Sequence, residues 1–273
     1  MSRPAPGRLV LLGHPVAHSL SPAFQNAALR AAGIALRYEA LDVAPEALER
    51  CVAGLAAVRA SGNVTIPHKE AAAALCGRLE PLAARTGAVN AFWHEADGTL
   101  VGDNTDVGGF DAMAHSLGVR REGAEVACLG AGGAAAAVCA AVERWPGAKV
   151  YLLSRRGERA CALAERFPRL ASVPPSFEEG LETATVVVNA TPIGLRDALH
   201  PLAPDELPDD ACVMDLVYRP GETAWVRAAR ALGHVAADGR EMLLQQGALA
   251  FERWFGIVPD VAAMRRALEE AAA

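Results

Sequence analysis

No basic excess marks this chain: 26 lysines and arginines stand against 32 aspartates and glutamates, for a formal net charge of −6. Nucleic-acid and anionic-membrane surfaces draw on the opposite balance, so neither partner is expected, and an anionic ligand must be met by local cations or hydrogen-bond donors. Long apolar runs are missing as well. The longest uncharged stretch, VACLGAGGAAAAVCAAV over residues 126–142, falls short of a bilayer span and carries three glycines at a strand-to-helix turn, so it reads as buried. The opening MSRPAPGRLVLLG turns at Gly13 after a very short apolar run, unlike a secretory signal, and the cytoplasm is the expected location. The six cysteines form no CxxC pair and are expected to be free, buried thiols in a reducing compartment. Seven histidines show no HExxH or other ligand spacing, and no metal site is expected.

What is present is alternation. Strand-like runs (RLVLLG, LRYEALDV, NVTI, AVNAFW, EVACLG, KVYLLS, TVVVNA, ACVMDLVY, HVAADG) are separated by segments of helical composition at 22–32, 45–58, 70–79, 133–145 and 157–167. Such a pattern predicts an α/β protein with crossover-connected, mostly parallel sheets. VGDNTDVGGF, residues 101–110, reads as a glycine-rich polar interruption, after which a fresh series opens at Glu125. A second interruption, AADGRE, precedes a long amphipathic helix, EMLLQQGALAFERWF, and a last helix from about Asp260. These two helices have no strands of their own and are expected to pack back on the first half. The expected division is therefore a discontinuous first domain, residues 1–106 and 240–273, around a second domain, residues 107–239. No repeat or low-complexity linker interrupts either.

The second half opens on EVACLGAGGAAAAV, a strand, a glycine turn and a helix start. Its pattern is G-x-G-x-x-A over Gly130, Gly132 and Ala135, with Gly133 also in the turn. The first glycine permits the tight turn, the second lets backbone approach a pyrophosphate, and the helix N-terminus offers its unpaired N–H groups to the phosphate charge. Alone the pattern is common in alanine- and glycine-rich helices. The sharper signal is the end of the next strand, which reads SRRGER: Ser154, Arg155, Arg156 and Arg159 replace the acid that would receive the ribose hydroxyls of NAD. A carboxylate there would repel a 2′-phosphate, whereas guanidinium groups bind it with charge-assisted donors. Against a solvated cationic loop, the reading adopted is a Rossmann-type domain for NADP.

In the first half, NVTI stops at Pro67 and Lys69 follows at the start of an alanine-rich helix. The positive end of a helix dipole disfavours a first-turn cation by roughly 0.3–1 kcal/mol. A lysine kept there invites a chemical explanation, with an ordinary surface ion pair as the bland one. Further upstream, GHPVAHSLSP sets Ser19 and Ser21 just before a helix opening with Pro22. Serines in that place ordinarily cap. Two hydroxyls at a helix start also suit a carboxylate, and both readings stand at this level.

GHPVAHSLSP, GNVTIPHKE, GAVNAF, GDNTD, GAGGA, NATPIG, DLVYRP and MLLQQGALAF occur in this order over nearly the whole chain. As an ordered set they resemble the shikimate dehydrogenase family, NADP-dependent enzymes that reduce 3-dehydroshikimate in aromatic amino-acid biosynthesis. The resemblance implies two domains with the C-terminal helices returning to the first. It implies Lys69 and Asp106 as the catalytic pair, Asn90 and Gln246 with them on the ring hydroxyls, and Ser19, Ser21, Thr65 and Tyr218 on the substrate carboxylate region. It implies Gly130, Ala131, Gly132, Gly133 and Ala134 with Ser154, Arg155, Arg156 and Arg159 on NADP, and Leu216 and Gly239 beside the nicotinamide. In that setting an Asp106 carboxylate facing Lys69 offsets the unfavourable dipole, and the lysine exchanges a proton with the C3 oxygen. Two departures stand out. Ser154 and Arg156 replace the asparagine and threonine usual around the loop arginine, and His68 replaces an apolar residue, with no role to assign. The rivals are a quinate or amino-shikimate dehydrogenase using the same pair, and a catalytically silent NADP-sensing protein. Weak activity on quinate is expected, because its extra C1 hydroxyl would crowd a pocket fitted to shikimate. A monomer or a homodimer is expected.

Overall fold

The computed structural model describes residues 5–273. Its chain forms two compact units: one runs up to Gly109 and resumes over Leu243–Ala273, and the other is Phe110–Met242.

The first unit contains β1 (Arg8–Gly13), α1 (Ser21–Ala31), β2 (Tyr38–Asp42), α2 (Leu48–Ala56), β3 (Ala60–Val64), α3 (Lys69–Leu75), β4 (Arg78–Leu79), α4 (Pro81–Thr86), β5 (Ala91–His94) and β6 (Leu100–Asp103). Its six strands lie in the order β2-β1-β3-β5-β6-β4. β1 pairs parallel with both β2 and β3, as the alternation predicts, but β5 runs antiparallel to β3 and to β6. The sheet is mixed, because only a short loop separates β5 from β6 and no crossover helix fits there. Val10, Leu12, Val52, Leu55, Val64 and Phe92 share its core.

VGDNTDVGGF is not an interruption. Its first three residues finish β6, and Asp106 opens α5 (Asp106–Ser116), the helix in which the first joint between units falls. Two adjacent glycines hide a helix from propensity reasoning, since each costs about 1 kcal/mol against alanine.

The second unit continues with β7 (Glu125–Leu129), α6 (Gly133–Val142), β8 (Lys149–Leu153), α7 (Gly157–Arg166), β9 (Ala171–Ser172), α8 (Phe177–Leu181), β10 (Val186–Asn189), β11 (Cys212–Asp215), α9 (Ala224–Ala231) and β12 (Ala236–Ala237). All pairings are parallel, in the order β9-β8-β7-β10-β11-β12. This is the doubly wound order, reversing direction between β7 and β10, and the crevice at such a reversal is where open α/β sheets take their ligands. The strands read VACL and VVVN because both faces are covered and alternation has no purpose. The chain closes with α10 (Arg240–Phe255) and α11 (Val261–Ala272). Gln25 Nε2 on α1 donates to the Gly247 carbonyl of α10 at 2.9 Å, and Trp254 stacks on Tyr38, fixing α10 to the first unit's sheet.

All six cysteines are free, but only Cys128 and Cys139 are buried. Cys51, Cys76 and Cys212 are half-buried, and Cys161 is exposed on α7, which corrects the expectation of uniformly buried thiols. Among the described residues no helix is long and apolar enough to cross a membrane, and no group of three His, Cys, Asp or Glu could hold a metal ion.

Candidate functional site

The antiparallel turn in the first sheet builds the first constellation. Because β5 begins where β3 and β6 end, Ala91 pairs with both Asn63 and Asp103. Asn90, just before β5, is thereby brought beside Thr105 and Asp106, just after β6. The Val64 N–H donates to the Asn90 carbonyl at 2.9 Å, and the Asn90 N–H donates to the Asp103 carbonyl at 3.1 Å.

On this frame Lys69 Nζ lies 2.6 Å from Asp106 Oδ2, with side-chain exposures of 18% and 6%. Asn90 Nδ2 donates to Asp106 Oδ1 at 2.8 Å, and Gln246 Oε1 lies 3.1 Å from the same nitrogen. The Thr105 N–H donates to Asn90 Oδ1 at 2.7 Å, which fixes the amide's orientation. Asp106 is the first residue of α5, where the dipole favours an anion; Lys69 is the first residue of α3, where it opposes a cation. The two helix starts therefore act oppositely on the two partners, and the carboxylate is what holds the lysine in place. Lys69, Asp106, Asn90 and Gln246 thus share one hydrogen-bonded cluster.

Two neighbours carried no assignment from sequence. Asn63 is buried, accepts from Tyr38 Oη at 2.7 Å and donates to the Asn90 carbonyl at 3.0 Å. Its place within GNVTIPHKE was the available signal. His68 is buried, and its Nε2 lies 2.6 Å from the Val43 carbonyl, so it fastens the start of α3 to the end of β2. That bond explains a polar residue in an otherwise apolar place.

Ser19, Ser21 and Thr65 sit on segments leaving the C-terminal ends of the parallel neighbours β1 and β3. The capping reading fails for Ser21, which lies inside α1, with no hydrogen bond to its hydroxyl among the described residues. The N-cap position belongs to Leu20, and Ser19 Oγ accepts the Ser21 N–H at 3.2 Å. Tyr218 belongs to the other unit, three residues beyond the end of β11.

The second constellation follows from strand register. Leu153, Leu129, Asn189 and Asp215 form one row across β8, β7, β10 and β11, the last residue of each strand. The residues next in chain are Ser154, Gly130, Ala190 and Leu216, so three of the expected cofactor positions emerge along one edge of the sheet. Gly130 has φ +119°, and a side chain there would stand 3.0 Å from the Ala190 carbonyl oxygen, so only glycine makes this turn. Gly132 is the N-cap of α6 and has no side chain to satisfy the first-turn amides, while a Cβ placed on it would meet nothing within 4 Å. Open space before unpaired helical N–H groups fits a pyrophosphate. Arg155, Arg156 and Arg159 are exposed where α7 begins, and Ser154 Oγ accepts the Arg156 N–H at 3.2 Å. A trio of guanidinium groups fits a 2′-phosphate by charge. Ala131, Gly133 and Ala134 are half-buried around the same turn.

At the other end of the row the Gly239 N–H donates to the Val217 carbonyl at 2.9 Å, and a Cβ on Gly239 would stand 2.4 Å from the Leu216 carbonyl oxygen. The structure therefore brings Leu216 and Gly239 into backbone contact. Asn189 was not singled out, although it begins NATPIG. Its Nδ2 donates to Asp215 Oδ1 at 2.8 Å and its Oδ1 accepts from Thr191 Oγ1 at 2.7 Å, shaping the loop after β10.

Comparison with known proteins places these two constellations in company. A family model described as the shikimate dehydrogenase substrate binding domain matches residues 11–92, and one described as the shikimate 5′-dehydrogenase C-terminal domain matches residues 239–269. The chain is similar to the shikimate dehydrogenase (NADP(+)) of Rubrobacter xylanophilus, at 46% identity over 267 residues covering 94% of each. It is similar to the crystal structure of shikimate 5-dehydrogenase from Thermus thermophilus in complex with NADP(H) and shikimate, with a TM-score of 0.87, 41% identity, and coverage of 97% of this chain and 99% of that one. It is also similar to the quinate dehydrogenase from Corynebacterium glutamicum in complex with NAD, with a TM-score of 0.85, 30% identity, and coverage of 96% and 98%.

Proposed function

Because the chain belongs to the shikimate dehydrogenase family, we propose that it catalyses the reversible NADPH-dependent reduction of 3-dehydroshikimate to shikimate. The observation that carries the reading is the shielded Lys69–Asp106 pair, 2.6 Å long and cross-braced by Asn90. A decorative surface pair would lie in the open and would not be held by a buried amide. Both members of the pair stand where a silent NADP-sensing protein could have lost them. The more distant quinate relative, at 30% identity, supports the main reading over the quinate alternative.

When bound, NADP(H) supplies the hydride chemistry at C3. Lys69 Nζ delivers the proton to the C3 oxygen during reduction and takes it back during oxidation. Asp106 Oδ2 holds Nζ, and Asn90, through Asp106 Oδ1, keeps the carboxylate from turning away. Asn90 and Gln246 align the ring hydroxyls, and their mutual bond sets the spacing of the two amides. Ser19, Ser21 and Thr65 take the substrate carboxylate. Gly130 through Ala134 receive the pyrophosphate, Ser154, Arg155, Arg156 and Arg159 the 2′-phosphate, and Leu216 and Gly239 line the nicotinamide end. The first-domain and second-domain assignments, residues 1–106 with 240–273 and residues 107–239, follow the same division of labour. Free cysteines are what a reducing compartment leaves, and the cytoplasm is the location that fits them.

Calorimetric titration of the purified chain with shikimate tests the reading, and saturable binding is expected; an absence of binding at millimolar shikimate overturns it. The serines sharpen the test. Ser21 is not a cap, so Ser21→Ala should leave the melting temperature nearly unchanged while raising KM for shikimate more than it lowers kcat, as loss of uniform binding does. Ser19→Ala should raise KM similarly and also cost stability, toward the lower end of the roughly 0.5–2 kcal/mol of a lost cap. Unchanged KM in both variants would remove the serines from the site.

A further inference from the structure

The terminal row of the second sheet ends on an anomaly. β11 and β12 pair in parallel with Val213 opposite Ala236 and Met214 opposite Ala237, so the register carried one step further sets Asp215, the last residue of β11, opposite Asp238, the residue after β12. Two carboxyls as register neighbours should repel. Both are nevertheless buried, at 0% and 5% exposure. Each satisfies one oxygen only. Asp215 Oδ1 accepts from Asn189 Nδ2 at 2.8 Å and from the Val217 N–H at 3.0 Å. Asp238 Oδ1 accepts from Arg240 Nε at 2.8 Å and from the Arg240 N–H at 3.2 Å. Among the described residues, Oδ2 of each is buried with no hydrogen-bond partner.

The groups facing the pair are few in kind. Asn189 comes from β10, the Thr223 hydroxyl from the start of α9, and the Arg240 guanidinium from the start of α10. Arg240 pairs with Asp238, so of the two carboxyls Asp238 is the one with a cation bonded to it. Thr223 Oγ1 is the N-cap of α9, accepting the Val226 N–H at 3.4 Å; its hydroxyl also faces Asp215 and favours the ionised carboxyl, while Oδ2 keeps no partner among the described residues. Burial, aided by the neighbouring Asp238 charge, pushes the Asp215 carboxyl up to about 6, against the opposing pull of Thr223, Val217 and Asn189. A buried carboxyl lacking donors on one oxygen, beside an anion lacking donors on one oxygen, is satisfied by a single shared proton.

We propose that Asp215 and Asp238 are a positioning pair that shares one proton between the two Oδ2 atoms and so fixes the backbone of Leu216 and Gly239, the two residues that follow them. The proposal rests on the reading of those residues as the nicotinamide end. In the one-proton state the pair ties β11 to β12 at the point where Gly239 meets the Leu216 carbonyl. With both carboxyls ionised, the charges push the same two strand ends apart.

The sign of the pH effect follows from linkage. The folded chain raises the Asp215 carboxyl from its ordinary 3.8 to about 6. Its contribution to stability is therefore full below the unfolded value and is lost as pH rises through the folded one. Asp215→Asn keeps a donor toward Asp238 and an acceptor toward Asn189 and Val217 at every pH. Two measurements over about pH 5 to pH 8 test the pair: the melting temperature of the cofactor-free chain, and calorimetric titration with NADP⁺. Taking the ratio of wild type to D215N cancels the titration of the 2′-phosphate itself. As pH rises, the wild type should lose melting temperature relative to D215N, and its relative affinity for NADP⁺ should fall by about fivefold or more, the lower range of a coupling between sites. Should D215N fail to fold, Asp238→Asn is the second variant. It removes the neighbouring charge and gives Asp215 Oδ2 a donor, so the melting transition of the pH profile should move toward acid. A constant ratio across the pH range in both measurements, or an unshifted profile in D238N, overturns the proposal. A wild type that binds no NADP⁺ at any pH overturns the functional reading instead, and the melting comparison still decides the pair.

Discussion

Lys69→Ala lowers kcat by about 10²–10⁴, the usual worth of a positioned acid–base group. Shikimate still binds measurably to this variant, because hydroxyls and amides elsewhere in the cluster remain to hold it. The geometry further specifies how the loss combines with a change at Asp106. Asp106 Oδ2 holds Nζ at 2.6 Å while Oδ1 takes the Asn90 amide at 2.8 Å, so the carboxylate is shared between the proton donor and its brace. Asp106→Asn therefore releases the lysine and leaves two amides facing each other. Steady-state kinetics of the single and double variants should show a combined loss smaller than the summed ones, as for residues acting as a unit. Strictly additive losses would show that the two side chains act independently and that their bond is incidental.

Arg155→Asp raises KM for NADP far more than KM for NAD. A charge-assisted hydrogen bond contributes roughly 1.5–3 kcal/mol, and its replacement by a like charge adds repulsion, so about tenfold or more is expected even with the screening an exposed side chain suffers. Arg156, the N-cap of α7, and Arg159, in its first turn, remain, and for that reason the preference should weaken without reversing fully. An equal effect on the two cofactors would mean that Arg155 serves the fold of the loop and has no part in reading the 2′-phosphate.

How far the structure was legible depended on whether a feature was local. The strand, glycine turn and helix from Glu125 to Val142 could be read directly, because Gly130 is required by its backbone conformation and Gly132 leaves open space before the helix, all within one short segment. Lys69 was conspicuous because a first-turn cation contradicts a local rule. Features made by pairing were hidden. Asn90 meets Asp106 only because β5 is antiparallel between β3 and β6, and periodicity does not report strand direction. Asn189, Asp215 and Asp238 stand in adjacent places through register, across 26 and 23 residues of chain, which no motif reveals. The opening of α5 was hidden by Gly108 and Gly109, and its importance is that it carries Asp106. Ser21 misled in the opposite sense: a serine before a run of helical composition looks like a cap, and the helix began one residue earlier than that reading needs.

The most direct test is a comparison of kcat/KM for the purified wild type, following absorbance from the reduced cofactor with shikimate or quinate as substrate and NADP or NAD as cofactor. Turnover of shikimate with NADP should dominate, with NAD a poor substitute because the loop after β8 presents arginines where an acid would be needed, and with quinate turned over weakly. Equal or better kcat/KM with NAD, or brisk turnover of quinate with none of shikimate, would contradict the account.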